Sequence, residues 1–148
     1  MESAAEIPVD GPGAEASAVV ELEAGREYWL VNDFDYTTAV PLPTSEREHC
    51  YEWVMKIRQN GKTRTVQCPA LRSRSAKNWA STTRTGSRRA CTNCVLPDCT
   101  FRVAKSGKTR ISVSLEETQA CPSGVPEFSV DLRFQHLAIK VAADKRAN

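Results

Sequence analysis

The chain is 148 residues long, 41% hydrophobic and 26% charged, with a formal net charge of +2, which suits one domain with a real core. It has no apolar run of the roughly 18 residues that would span a bilayer, and its acidic start lacks the basic and apolar regions of a secretory leader. It is therefore expected to be intracellular, in cytoplasm or nucleus, and secreted only if a leader was removed.

Residues 1–17 are rich in Ala, Glu, Gly and Pro and are expected to form a disordered acidic tail. A single β domain follows over 18–143, with a short C-terminal tail at 144–148. Its first strands are Ala18–Glu23 and Glu27–Val31, separated by a turn at Ala24-Gly25. Pro41 and Pro43 then start a loop that runs to about Glu48.

Tyr51–Gln59, Asn60-Gly61 and Lys62–Cys68 read as a hairpin, because Asn-Gly readily adopts the positive φ values of a type I′ turn. Pairing about that turn places Trp53, Met55 and Ile57 on one face with Val66 and Cys68. Lys56 and Arg58 fall on the other face with Thr63 and Thr65. One face is core and the other is basic.

Residues 71–90 are expected to be a basic loop. Thr100–Lys105, Ser106-Gly107 and Lys108–Leu115 then resemble the first hairpin, giving two Lys-rich tips. In Phe128–Phe134 apolar and polar residues alternate, and the phase shifts at Leu137, Ile139 and Val141, so a bulge is expected near Gln135-His136. No segment carries a helical apolar stripe. The fold class is all-β, an antiparallel sandwich or small barrel of about six to eight strands.

Charge is sorted along this pattern. Residues 1–52 hold twelve acidic and two basic side chains, whereas residues 53–115 hold fourteen basic and one acidic, Asp98. Such a block attracts polyanions whatever the overall balance. The candidate contacts are Lys56, Arg58, Lys62 and Arg64 from the first hairpin, with Arg102, Lys105, Lys108 and Arg110 from the second. The basic loop adds Arg72, Arg74, Lys77, Arg84, Arg88 and Arg89, and its Trp79 is suited to stacking on a base.

Gly-Lys-Thr occurs at 61–63 and 107–109, but a phosphate loop needs another glycine five positions before the first of the three, where Lys56 and Arg102 stand. Nucleotide hydrolysis is excluded on that ground. Cys91-x2-Cys94-x4-Cys99 suits zinc, with Cys68 as a candidate fourth ligand. The competing reading is disulfides, pairing Cys50 with Cys68 and Cys99 with Cys121. Asp33 and Asp35 share a face if extended, and are expected to edge a loop. The two histidines, His49 and His136, offer little basis for acid–base catalysis.

The expected function is a non-enzymatic nucleic-acid-binding protein for RNA or single strands, such as a viral accessory factor, stabilised by possible Zn2+. No recognition helix suits a duplex major groove. Two alternatives stand beside it. One is a secreted, disulfide-bonded β-sandwich that binds a protein or a sulfated glycan. The other is a self-assembling structural or coat-like subunit, a homo-oligomer joined through acidic and basic regions.

Overall fold

The computed structural model describes residues 2–38, 51–69, 78–83, 86–117 and 133–144. Every regular element among them is a strand. In chain order these are β1 (Glu2–Pro8), β2 (Glu15–Leu22), β3 (Tyr28–Thr38), β4 (Tyr51–Gln59), β5 (Lys62–Pro69), β6 (Asn78–Thr83), β7 (Gly86–Phe101), β8 (Gly107–Glu117) and β9 (Arg133–Ala143). They form a five-stranded sheet, β1-β9-β3-β7-β6, and a four-stranded sheet, β2-β8-β4-β5.

Every pairing is antiparallel, and the pairings are nested. β1 pairs with β9, β2 with β8, β3 with β7, and β4 with β5. The β3–β9 and β4–β8 ladders then join these pairs into two sheets. A long hairpin rolled up so that alternate pairs fall in opposite sheets is the double-sheet jelly-roll arrangement. β6 extends the outer edge of β7.

Period-two alternation builds the core. From the four-stranded sheet, Trp53, Met55, Ile111 and Leu115 point inward, each at most 1% exposed. Leu30, Phe34, Tyr36, Ile139 and Val141 meet them from the other sheet. Phe34, Tyr36 and Phe134 form a run of ring contacts at 5.6–5.8 Å. Tyr51 also sits in this core, and burial, aided by the nearby Glu117 charge, pushes its phenol pKa up to about 12.

The first hairpin forms in the expected register. Gln59 faces Lys62, Trp53 faces Cys68, and the turn residues Asn60 and Gly61 have φ of 53° and 76°. The bulge near Gln135 is also present: Asp35 pairs with His136 and Tyr36 with Phe134, so Gln135 has no ladder partner opposite β3.

Four expectations are corrected. The expected N-terminal tail over 1–17 instead contains β1 and the start of β2, and Ala5, Ile7 and Val9 alternate into the core, with Ile7 only 2% exposed. The basic loop at 71–90 contains β6 and the start of β7. Asp33 and Asp35 lie within β3, where ladders on both sides leave no loop edge. The second hairpin does not form. β7 pairs only within the five-stranded sheet and β8 only within the other, so residues 102–106 cross between sheets. The expected strand at 128–132 lies outside the described residues, as does the loop at 41–48.

Candidate polyanion-binding surface

Lys56 and Arg58 project from the outer face of β4, and Lys108 and Arg110 from the outer face of β8. All four are exposed. They cluster because β4 and β8 are neighbours in one sheet: Lys56 faces Ser112, and Arg58 faces Arg110 directly. Like charges placed opposite each other in a ladder repel. Among the described residues, none of the four forms an ion pair. Glu21, facing Lys108 across the β2–β8 ladder, is the acid nearest in register.

A groove of about 580 Å³ opens at the same end of the sandwich, between the β4–β5 tip and the 102–106 crossing. Lys62 and Arg64 line it from β5, and Arg102 and Lys105 from the crossing. Ile57 and Val103, at 5% and 7% exposed, supply its apolar floor. Two hydrogen bonds tie the two walls together, and a third joins the tip to β8. The Gln59 Nε2 donates to the Lys105 carbonyl at 2.7 Å and to Thr109 Oγ1 at 3.1 Å, and Arg64 Nη1 donates to the Arg102 carbonyl at 3.4 Å.

Arg102 is anchored on its other side. It donates to the Gly25 carbonyl at 2.6 Å and pairs with Glu27 at 3.0 Å. The two glycine-containing tips thus flank one groove, although only the first belongs to a hairpin. Lys56, Arg58, Lys62, Arg64, Arg102, Lys105, Lys108 and Arg110 occupy a single end of the molecule.

The remaining candidates separate from this group. Arg72, Arg74, Lys77 and Arg84 lie outside the described residues. Trp79 is placed by its backbone on β6, opposite Ala90. Arg88 projects from the five-stranded sheet and grips Asp35 bidentately, with Nε–Oδ1 at 2.9 Å and Nη2–Oδ2 at 2.5 Å. That hydrogen-bonded guanidinium holds the Asp35 carboxyl below its usual range. Arg89 is 4% exposed and stands over the Phe34 ring at 5.6 Å, so it is a core side chain rather than a surface contact.

The four candidate zinc ligands are taken up in two disulfides. Cys68 is bonded to Cys99, joining β5 to β7 across the two sheets, and Cys91 is bonded to Cys94 within β7. The first of these corrects the expected Cys50–Cys68 and Cys99–Cys121 pairs. No local signal in the sequence points to it, because it depends on which strands stack across the core. A sulfur in a disulfide also offers no thiolate to a metal.

Cys91–Cys94 spans a bulge at Asn93, whose φ is 52°. Next to it, Asp33 accepts the Asn93 N–H and pairs with Lys140 at 3.0 Å. Among the described residues, one group of potential metal ligands has its donor atoms within 4.8 Å of one another: Glu6, Asp33 and His136. There the Lys140 ammonium already balances the buried carboxylate.

No protein-family model and no curated protein matches the chain. A solved structure described as "AvmM Catalyzes Macrocyclization in Alchivemycin A Biosynthesis" is similar over 99% of this chain and 93% of its own, at 12% identity and a TM-score of 0.28. That neighbour is a catalyst, which corrects the expectation of a non-enzymatic protein, and the expectation is withdrawn. A likeness this distant carries nothing further about this chain.

Proposed function

We propose that the protein binds a polyanion, with RNA or single-stranded nucleic acid as the first choice, at the end of the sandwich where the β4–β5 tip meets the 102–106 crossing. The observation that supports this is convergence. Lys62, Arg64, Arg102 and Lys105 line one groove, and the outer-face cations of β4 and β8 continue from it. A phosphate backbone tracks such a row, and the apolar floor of Ile57 and Val103 suits the face of a base or sugar.

Binding of this kind releases condensed counterions, so affinity falls steeply with salt, with a log–log slope of about −0.7 per phosphate contact for single strands. The test is fluorescence anisotropy of a labelled single-stranded RNA across a salt series. The Lys62→Ala/Arg64→Ala/Lys105→Ala variant should flatten the slope by about 2, from three lost contacts. An unchanged slope would remove the groove from the proposal, and binding indifferent to salt would remove the polyanion.

The two disulfides favour a second reading, an extracellular sandwich that binds a sulfated glycan through the same cations. Competition separates the two. If a sulfated glycan displaces RNA at equal charge concentration but RNA does not displace the glycan, the second reading holds.

A further inference from the structure

The outer face of the four-stranded sheet has an excess of cations at one end. Towards the β4–β5 tip it carries Lys56 and Arg58 on β4 with Lys108 and Arg110 on β8, against one acid, Glu21 of β2, which faces Lys108. Towards the other end it carries Glu52 on β4, directly facing Glu116 on β8. Glu15 of β2 lies at that acidic end too, opposite Ser114. Between the two ends stand short side chains: Ser17, Ser112 and Thr65 share one row with Lys56.

Each end holds a like-charge pair in directly facing positions, Arg58 with Arg110 and Glu52 with Glu116. Neither pair has an opposite charge bonded to it among the described residues. Six residues of strand separate Arg58 from Glu52, about 20 Å at strand rise. That is more than twice the screening length at physiological salt, about 8 Å. The facing pairs Arg58–Arg110 and Glu52–Glu116 are therefore too far apart to neutralise each other within one molecule.

We infer that this face is a self-complementary docking surface for a second copy of the chain, a surface distinct from the groove of the polyanion reading. A two-fold axis lying between the faces and perpendicular to the strands keeps the strand order and reverses the strand direction. It sets Arg58 over Glu52 of the second copy and Arg110 over its Glu116, and the reverse contacts follow by symmetry, as an isologous interface requires. In the middle rows Ser17, Ser112, Ser114 and Thr65 are short, and Lys56 comes to lie over Val54 of the second copy, so two sheets can approach to the usual spacing of about 10 Å. Val19, the exposed large hydrophobic among the described residues at 56%, lies on this face beside Arg110.

The outer-face cations cannot contact a second copy and a polyanion at once. The groove lined by Lys62, Arg64, Arg102 and Lys105 stays open in either state.

The test is sedimentation velocity of the full chain with two charge-reversal variants, Glu52→Lys/Glu116→Lys and Arg58→Glu/Arg110→Glu. All four side chains are on the outer face, and circular dichroism and thermal melting check that each variant is folded. Wild type should dimerise at low ionic strength and dissociate as salt is raised. Each variant alone should associate about a hundredfold more weakly, because like charges then meet across the interface. An equimolar mixture of the two should restore the dimer.

A wild type that stays monomeric at low salt overturns the inference. So does a dimer that survives in either variant alone, or a mixture that fails to pair. Glu52→Lys/Glu116→Lys keeps every cation of the groove, so its RNA binding reports on the polyanion reading separately.

Discussion

Arg58 and Arg110 face each other across the β4–β8 ladder with Lys56 two residues away on the same side. A folded chain gains nothing from that arrangement, since facing like charges in a ladder cost a few tenths of a kcal/mol up to about 1 kcal/mol. A ligand or second molecule that brings negative charge converts the cost into attraction. Arg58→Glu therefore should act in opposite directions on two measurements. The unfolding free energy should rise by up to about 1 kcal/mol, read as a higher urea midpoint at constant m-value, because the introduced carboxylate faces Arg110. RNA affinity should fall, since one cation is lost and an anion is placed beside the path. If stability falls instead, the aliphatic stem of Arg58 packs on the sheet and the repulsion is not the controlling term. Arg89 shows the contrasting case. It belongs to the same basic run, but its strand phase turns it inward over Phe34, and charge along the sequence did not distinguish the two.

At the scale of elements, Cys68–Cys99 ties edge strand β5 of one sheet to β7 of the other. With a sequence separation of 31 between the cysteines, loop-closure entropy assigns the bond about 3–4 kcal/mol. Cys68→Ala/Cys99→Ala should lose about that much in urea unfolding, with Lys62 and Arg64 more mobile by hydrogen exchange in β5. Cys91→Ala/Cys94→Ala opens a far smaller loop and should cost less. The elements also show where sequence reading worked. The β4–β5 hairpin was legible because all its determinants are local, namely Asn60-Gly61 and two flanking alternations. The bulge at Gln135 was legible for the same reason, as a break in phase. The Ser106-Gly107 tip carries a similar local signature, yet β7 and β8 part into different sheets, a choice made by long-range pairing with β3 and β4. The cysteine pairs and the common groove depend on the same sheet-to-sheet stacking. The cationic residues themselves were readable, but which of them face one another was not.

For the whole molecule, the nested pairing makes the two ends of the chain structurally dependent on each other. β1 and β9 pair from Glu2–Ala143 to Pro8–Ala138, almost the full length of the sequence apart. Contacts so distant make folding slow, because the chain between them must be closed before they contribute. They also mean that the acidic N-terminus belongs to the sandwich. Its low count of large apolar residues hid this, since Ala5, Ile7 and Val9 carry the alternation with only two bulky side chains. Deleting residues 1–9 should therefore do more than trim a tail. It removes Ile7 and Val9 from the core, at about 1.5–3 kcal/mol each by burial. It also strips β9 of its outer partner and leaves an open edge running past Ile139 and Val141. The truncated protein should lose several kcal/mol of unfolding free energy and unfold at a lower urea concentration, and its β9 amides should exchange faster, while the β4–β5 hairpin keeps its ladder. If the truncation left stability unchanged, β1 would add nothing to the fold, and the acidic segment would be free to act on the basic end instead. A destabilised but still RNA-binding truncation would separate two roles along the chain: the N-terminal segment closes the sandwich through Ile7 and Val9, and the central basic residues meet the ligand.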